Sequence, residues 1–512
     1  MDKAGGQVQF SDIKRSFGTM PEALQATLRS AAKTTLRLFC SYGVPLLTIA
    51  LSAWAAVKYL DVHSVDDVEE VIEHTKHEEI TFTLFQLLTA AAAVAAIAAA
   101  YFMYKRAASA TYLVDFYSFR PPSRLETTRK EIIDGCKLPE NNCSPNLINF
   151  MEKVMEISGI GDRTYFHDAC RRAIHQKLDI NMTDAREESE LALNVSIQHV
   201  LDRTGLKPSQ IDGLIINCTA FNPTPSLSAA VVKHFKFKSS IRTVNLSGMG
   251  CAASVISVDI ARDMLKAHPG SRIIIAGTEN ILWNMYDGDQ KSMLITNCIF
   301  RWGGFAALLS NHALDRSRAK YKLQHMVRTH LGSNPDAYDV VIQKEDEQGK
   351  VGVKIGRELM NVAAMALKRN ITSLGPLVLP VSEQLIFAGN FVARKVLGMK
   401  IKPYVPDFTT AFEHFCIHPG GKAVIHEVSK QLKLRPEQSL PMLVPFERYG
   451  NTSSSSTWYA WSYVETFQGV KKGDRVWQLA FGSGFKCCSA VWVACKRNNE
   501  KHDAWTDTES YA

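Results

Sequence analysis

The chain has 512 residues, of which 46% are hydrophobic and 21% charged, and its formal net charge is +8 at pH 7. This composition is that of a folded protein, long enough for several average domains or for one large duplicated domain. The basic residues are spread along the chain without runs interleaved with aromatic residues, which argues against nucleic-acid binding. The 11 cysteines form no CxxC pair and no zinc-type spacing, so we expect reduced thiols in a protein that faces the cytosol.

Two long apolar stretches lie in the first hundred residues. Residues 38–57 and 80–104 contain no charged side chain, and each could cross a hydrocarbon layer of roughly 30 Å as a helix. Residues 58–79 between them are rich in acidic side chains, whereas basic residues flank the outer ends, so both termini are expected in the cytosol. The sequence thus predicts a cytosolic segment at 1–34 and a membrane anchor of two transmembrane helices at 35–108. A pair of buried core helices is the alternative, since alanine fills much of the second stretch.

From residue 109 onward, short apolar strands alternate with amphipathic helices, which predicts an α/β fold. We expect two similar halves, 109–330 and 331–497, followed by a flexible polar tail at 498–512. The predicted strands include 213–218, 242–246, 272–277, 304–310 and 475–480, the last with a hairpin return over 486–495. The predicted helices include 187–203, 252–266, 359–370 and 422–432.

A candidate nucleophile follows the second of these strands. The strand runs into Ser-Gly-Met-Gly and then Cys251, after which Ile256, Ile260 and Met264 share one helical face. Cys251 therefore lies on a tight turn at a helix N-terminus, where the helix dipole favours thiolate and the glycines leave the sulfur accessible. The alternative is a cysteine that acts only as a small buried apolar residue.

Two further motifs supply a histidine and an asparagine. His418 follows the apolar strand 415–417 and precedes Pro-Gly-Gly, so its ring can face a pocket at a strand end. His414 lies on the same strand face, either as a second polar group or as a structural hydrogen-bonding residue. Asn451 lies in a Tyr-Gly-Asn-Thr loop ahead of four serines. By itself it also fits a structural turn or a glycosylation sequon, and the latter fails if the domain faces the cytosol.

These residue types together suit one chemistry. A neutral histidine and an asparagine amide both donate hydrogen bonds, and they can stabilise an enolate without supplying a full charge. A cysteine can hold the acyl group, and backbone N–H groups of Cys251 and of Gly482, Ser483 and Gly484 can form an oxyanion hole. The motifs thus predict decarboxylating condensation of malonyl and acyl thioesters, with no metal and no cofactor beyond the CoA thioesters that are the substrates.

The motifs resemble those of the plant-type very-long-chain 3-ketoacyl-CoA synthases. These are the membrane-bound condensing enzymes of fatty acid elongation, within the thiolase-like superfamily. The resemblance covers residues 110–495 and includes YLVDF, NPTPSLSA, NLSGMGC, SMLITNCIFRWGG, VRTHLG, NITSLGPLVLPVSEQL, EHFCIHPGG, GNTSSSSTWY and GDRVWQLAFGSGFK. Such long matches in one order are more specific than a cysteine, a histidine and an asparagine alone.

The resemblance implies a five-layered αβαβα fold of two similar halves, commonly a homodimer. It implies a catalytic trio of Cys251, His418 and Asn451, with supporting roles for His330 and His414. The substrates would be malonyl-CoA and a long acyl-CoA. The catalytic domain would face the cytosol from the endoplasmic reticulum membrane, with the lipid bilayer and an elongase reductase and dehydratase as partners.

The chain also departs from the family's pattern. Glu447 stands where the family usually has a histidine, four residues before the asparagine, and Cys488 stands where an asparagine is common. A carboxylate at Glu447 near the site would alter the protonation of a neighbouring histidine, so we retain it as a supporting residue. A non-catalytic scaffold of an elongase complex is one alternative function. A papain-like membrane hydrolase with the order Cys, His, Asn is another, although the CGSCW-like context of those enzymes is missing.

Overall fold

The computed structural model describes residues 110–141, 143–402 and 404–507, in which strands and helices alternate along the chain. The strands are β1 Tyr112–Ser118, β2 Glu126–Thr128, β3 Arg163–Tyr165, β4 Gly213–Asn217, β5 Arg242–Leu246, β6 Arg272–Thr278, β7 Gly304–Ser310, β8 Tyr321–His330, β9 Val341–Glu345, β10 Val351–Ile355, β11 His414–Ile417, β12 Arg475–Gly482 and β13 Lys486–Ala494. The helices are α1 Arg129–Cys136, α2 Pro145–Ser158, α3 Asp168–His175, α4 Met182–Thr204, α5 Leu227–Phe235, α6 Ala253–Ala267, α7 Ile281–Asn284, α8 Lys291–Ile299, α9 Pro335–Asp339, α10 Leu359–Val378, α11 Val381–Lys395, α12 Lys422–Gln431, α13 Pro436–Tyr449 and α14 Ser456–Tyr463.

Nine strands form one sheet in the order β11-β12-β13-β8-β1-β7-β6-β4-β5. The strands β4, β5 and β6 run parallel, as do β11 and β12, and β1 pairs antiparallel with both β7 and β8. The strand β8 pairs along its length with β13. By this pairing β8 lies with the C-terminal strands, and the border between the halves at residues 330 and 331 stays a prediction.

Two helices lie between the two parts of this sheet. The helix α6 packs on β4 and β6 from one part and on β12 and β13 from the other, while α14 packs on β1, β11 and β12. Large aromatic side chains fill the space around them, namely Phe116, Phe305, Trp458, Trp461 and Trp492, all fully buried. The helices α4, α5, α10 and α13 cover the opposite faces of the same strands. Strands that are covered on both faces must be apolar along their whole length, and this is why β6 reads as a continuous apolar run.

Most of the predicted elements are confirmed. The strands 242–246 and 304–310 have the predicted bounds, and the other predicted strands agree within one or two residues at each end. The helix predicted at 187–203 begins earlier, because Asn181 accepts a hydrogen bond from the backbone of Asp184 as its N-cap. The helix predicted at 359–370 continues to Val378, well beyond its expected end.

The prediction of a flexible tail is wrong for residues 498–507. Trp505 is 2% exposed, and its indole donates a hydrogen bond to the Ser462 hydroxyl at 2.9 Å. The Tyr449 hydroxyl donates to the carbonyl oxygen of Ala504. The segment was misjudged because its polar residues outnumber the few aromatic and apolar side chains that hold it on the core.

The predicted segments 1–34 and 35–108, with both apolar stretches, lie outside the described residues. Every helix in the described part of the chain is too short or too polar to cross a membrane.

Candidate active site

The predicted residues lie in the segments that directly follow three strands of the sheet. Cys251 follows β5, His418 follows β11, and the loop of Gly482 to Gly484 follows β12. The strand pairings make β5 run antiparallel to β11 and β12, and the turn that holds Cys251 packs directly against the end of β12.

Cys251 lies in a 3₁₀ turn, Gly250–Ala252, directly ahead of α6. Gly250 has a φ of +66°, and a Cβ atom there would lie 2.5 Å from the backbone nitrogen of Ser483. Only glycine combines this conformation with such a close approach. The turn therefore brings the Cys251 backbone against the loop after β12, which is where the predicted oxyanion hole would form.

The surroundings of the Cys251 sulfur do not favour thiolate in the resting protein. Burial raises the pKa of Cys251 to about 12, and this outweighs the hydrogen bonds from Ser453 and from the backbone, which lower the pKa. The charge of Glu279 raises it further. This direction is opposite to the one expected from the helix N-terminus, because loss of water disfavours the charged sulfur more than the hydrogen bonds at the turn favour it.

A chain of hydrogen bonds leads from Cys251 to a buried carboxylate. The Ser453 hydroxyl lies 3.7 Å from the Cys251 sulfur and 2.9 Å from Glu279 Oε2. Glu279 is 4% exposed and accepts further hydrogen bonds from the backbone nitrogens of Thr219 and Ala220. The serine hydroxyl has a single proton, so it donates either to Glu279 or to the Cys251 sulfur, and donation to the sulfur favours the thiolate.

Asn451 is connected to the same group through its neighbour Ser453. Its amide oxygen accepts a hydrogen bond from the backbone nitrogen of Ser453 at 2.9 Å. Its backbone N–H donates to the carbonyl of Ile299 at 2.8 Å, and its backbone carbonyl accepts from the N–H of Arg301 at 3.0 Å. The side chain is 3% exposed, and its orientation leaves the NH₂ end available to donate.

His418 lies at the end of β11, and its backbone nitrogen donates to the carbonyl of Leu479 at 2.8 Å. The ring is buried, and its Nδ1 has no hydrogen-bond partner among the described residues. Burial lowers the pKa of His418 to about 3. The imidazole is therefore neutral at physiological pH, which is the state that donates one hydrogen bond without a full charge.

A cavity of about 630 Å³ opens at Cys251. Ser453, Glu279 and Ser483 also line it, and much of its wall is apolar, with Phe166, Ile281, Met285, Phe300, Ile342 and Val353. His418 and Asn451 are not among the lining residues. The cavity thus reaches the sulfur, and within residues 110–507 no hydrogen bond joins Cys251 directly to His418 or Asn451.

Comparison with protein families gives two matches. The family described as FAE1/Type III polyketide synthase-like protein matches residues 102–396, and the C-terminal part of 3-oxoacyl-[acyl-carrier-protein] synthase III matches residues 409–494. Among Arabidopsis thaliana proteins, 3-ketoacyl-CoA synthase 5 is 47% identical over 80% of this chain and 82% of its own length. 3-ketoacyl-CoA synthase 9 is 47% identical over 77% of this chain and 75% of its own.

The chain belongs to the 3-ketoacyl-CoA synthase family. Its fold is shared with type III polyketide synthases. A CsyB point mutant has a TM-score of 0.60 at 16% identity, covering 75% of this chain and 100% of its own. The type III polyketide synthase domain of Steely1 from Dictyostelium has a TM-score of 0.59 at 15% identity, covering 75% of this chain and 99% of its own. Family and fold together exclude the papain-like hydrolase that the order Cys, His, Asn left open.

Of the predicted supporting residues of this 3-ketoacyl-CoA synthase, one lines the cavity and two do not. His330 lines the cavity, and its Nδ1 accepts a hydrogen bond from the Gly332 backbone at 2.9 Å. His414 instead bonds Asp474 Oδ2 through Nε2 at 3.0 Å, at the far end of β11, which is a structural pairing. Glu447 is exposed on α13 and does not line the cavity.

Cys488 is buried in β13, where loss of water raises its pKa to about 11. It packs in the apolar core between the two parts of the sheet. The ten cysteines of the described part are all free thiols.

Sequence reasoning missed Glu279 and Ser453. Ser453 is hydrogen-bonded to the Cys251 sulfur, and Glu279 is hydrogen-bonded to Ser453. Glu279 had a detectable signal, because it is a carboxylate placed directly after the apolar strand β6. Ser453 was hidden among four consecutive serines, and nothing in the sequence separates it from the other three. Its φ of +56° is the local conformation that turns it toward Cys251.

One cluster in the described chain has the spacing of a metal site, formed by Glu465, Glu500 and His502. The Lys320 ammonium lies 2.9 Å from Glu465 and 2.6 Å from Glu500. A buried lysine that is bonded to both carboxylates supplies the positive charge that a cation would bring, so these residues do not fit a metal ion.

Proposed function

We propose that this chain catalyses the decarboxylating condensation of malonyl-CoA with a long-chain or very-long-chain acyl-CoA, the first step of fatty acid elongation. The observation that carries the proposal is the Cys251 thiol at the wall of an apolar cavity of about 630 Å³. An acyl chain is apolar and its thioester reacts with a thiol, so the cavity and the nucleophile suit the two ends of one substrate.

The first half-reaction transfers the acyl group to the enzyme. The Cys251 sulfur attacks the thioester carbonyl of the acyl-CoA, the bond to the CoA sulfur breaks, and CoA leaves as the thiol. The Cys251 proton must depart during attack, and a proton is gained by the CoA sulfur as it leaves. The Ser453 hydroxyl, 3.7 Å from the Cys251 sulfur, is placed to donate a hydrogen bond to it as its negative charge develops. Backbone N–H groups of Cys251 and of the loop at Ser483 are proposed to hold the oxyanion.

The second half-reaction forms the new carbon–carbon bond. Malonyl-CoA loses carbon dioxide, and the electron pair remains on an enolate whose oxygen accepts hydrogen bonds from neutral His418 and from the Asn451 amide. The enolate carbon then attacks the acyl thioester, Cys251 leaves as thiolate and regains a proton, and 3-ketoacyl-CoA is released. A buried neutral imidazole suits this role because an uncharged donor can stabilise the enolate oxygen. It would not form an ion pair with the malonyl carboxylate, which must leave as carbon dioxide.

Several finer features belong to the same proposal. The layers of helix and sheet described above support the five-layered αβαβα arrangement, and the apolar stretches 38–57 and 80–104 support a transmembrane hairpin. We place the enzyme in the endoplasmic reticulum membrane with the catalytic domain in the cytosol, as a homodimer working with an elongase reductase and dehydratase. Long acyl chains partition into lipid at about 0.8 kcal/mol per methylene, so a membrane location suits such a substrate.

The test is incorporation of labelled malonyl-CoA into longer acyl products by microsomes that express the full chain, with a series of saturated acyl-CoA primers. Cys251→Ser should abolish product, whereas Cys495→Ser, at a half-buried thiol beyond the end of β13, should retain it. Absence of product with every primer, despite good expression of a folded chain, would favour the non-catalytic scaffold instead.

A further inference from the structure

The helix α11, Val381–Lys395, is attached to the body of the protein through its polar side. Glu383 accepts hydrogen bonds from the Tyr404 hydroxyl at 2.8 Å and from the Asp407 backbone at 2.9 Å. Gln384 donates to the Leu379 carbonyl at 2.9 Å, and Asn390 bonds the Tyr404 backbone at 3.0 Å. A surface helix of a soluble protein normally buries its apolar side, so this orientation is reversed.

The apolar side of α11 faces outward as a consequence. None of its residues is buried, and the exposed fractions are 71% for Val381, 67% for Leu385, 46% for Val392 and 72% for Val396 just beyond its end. These positions recur at helical spacing on one side. The following segment continues the surface with Leu397 and Met399. A contiguous apolar surface of this kind marks a binding face.

The charges around this face indicate what binds it. Arg394, Lys395, Lys400 and Lys402 lie at its C-terminal end, whereas the acid of the helix, Glu383, is hydrogen-bonded toward the body. An apolar helix side that is bordered by basic residues is the pattern of helices that lie in the interface of an anionic bilayer.

The place of α11 in the fold agrees with this partner. The Arg475 guanidinium at the start of β12 donates to the Val378 carbonyl at 3.1 Å, just before α11. Across the sheet, Arg475 pairs with Val493, Val493 with Lys322, and Lys322 with Tyr112. The helix therefore begins near the row of the sheet that holds Tyr112, the first residue of β1, and the predicted membrane-spanning stretch 80–104 precedes β1 by only a few residues.

We propose that the outward side of α11 inserts into the headgroup region of an anionic bilayer and attaches the catalytic domain to the membrane at a second point. The inference concerns the described domain, and it rests on the proposed function only for the membrane hairpin. Two attachments near the row of the sheet that holds Tyr112 would fix the orientation of the domain on the membrane.

The test places an environment-sensitive fluorescent amino acid at Val392 in the full chain, reconstituted in vesicles of phosphatidylcholine and phosphatidylserine. Lipids that carry a nitroxide on the acyl chain report contact by quenching. The expected result is a blue-shifted emission at Val392 with several-fold stronger quenching than at Ile157, a matched control that is 65% exposed near the end of α2. Equal quenching at the two positions would overturn the proposal.

A photocrosslinking amino acid at Leu385 identifies the occupant. Adducts to lipid are expected, while adducts to a second copy of the chain, or to a peptide from residues 1–109, would each overturn the bilayer as partner. The malonyl-CoA assay on the same vesicles separates the two proposals. Elongation without lipid contact at Val392 refutes only the surface, and lipid contact without elongation refutes only the enzymatic function.

Discussion

At the level of single residues, the Cys251 thiol determines how the site responds to pH. Its pKa of about 12 means that neutral solution holds it as thiol, and only the small thiolate fraction reacts with alkylating reagents. We predict that alkylation of Cys251 by iodoacetamide rises about tenfold per unit between about pH 7 and pH 10, because the thiolate fraction rises in proportion below the pKa. Mass spectrometry of the Cys251 peptide measures this, and a plateau near pH 9 would contradict it.

The Ser453 hydroxyl is predicted to assist the loss of the Cys251 proton. Its hydrogen bond lowers the thiol pKa, so Ser453→Ala should raise that pKa and slow alkylation about fivefold at fixed pH, as expected for one hydrogen bond of about 1 kcal/mol. Ser455→Ala is the matched control, since that buried hydroxyl donates to the Gly277 carbonyl and does not contact Cys251. Equal rates in the two variants would rule out the contribution of Ser453.

His418 is predicted to make folding stability depend on pH. Its folded pKa of about 3 lies below the value of about 6.5 in an unfolded chain, so the unfolded state binds its proton first as pH falls. Its contribution is fully present above about pH 6.5 and is lost toward pH 3, with a slope of at most about 1.4 kcal/mol per pH unit. Urea unfolding at pH 7 and pH 5 should show a steeper loss for the native chain than for His418→Gln. An equal loss of stability between pH 7 and pH 5 in the two proteins would contradict this prediction.

At the level of elements, the turn before α6 depends on the lack of a side chain at Gly250. We predict that Gly250→Ala destabilises the protein by about 1–3 kcal/mol and abolishes condensation, because the new Cβ would press on the Ser483 backbone at 2.5 Å and the φ is +66°. Gly349→Ala is the control, since Gly349 has a φ of +77° with open space around it. Gly349→Ala should lose only the stability that the positive φ costs a residue with a side chain, as measured by unfolding. It should keep its activity in the malonyl-CoA incorporation assay. Equal losses in both variants would remove the Ser483 contact as the cause.

Elements with local signals could be predicted from the sequence, and contacts between distant segments could not. The strand, glycine turn and helix around Cys251 follow from residues within one stretch of chain, and so does the strand before His418. The hydrogen bond of Ser453 to Glu279 joins residues 174 positions apart, and the sequence carries no pattern for it. The direction of the Cys251 pKa shift differs from the expected one for the same reason, because burial by distant segments outweighs the effect of the local turn.

At the level of the whole molecule, the C-terminal segment supports the helix that leads to Asn451. Trp505 packs edge-on against Tyr449 and Tyr463, and Tyr449 lies two residues before Asn451. We predict that Trp505→Ala lowers the free energy of unfolding by about 3–5 kcal/mol, as expected for loss of a fully buried aromatic side chain.

Lys501→Ala, at an exposed position in the same segment, should change the stability little. Thermal unfolding and the temperature at which condensation fails should fall together for Trp505→Ala. A stability unchanged by that substitution would show that the segment is not part of the cooperative unit.

The position of β1 in the middle of the sheet has a consequence for synthesis on the ribosome. Tyr112 is made early, yet its two partners Ser310 and Lys322 come about two hundred residues later in the chain. At 5–20 residues per second, the strand waits roughly 10 to 40 s with both edges unpaired. A nascent chain in this state exposes backbone donors and acceptors to its neighbours, so translation speed and chaperone supply should govern how much active protein a cell obtains.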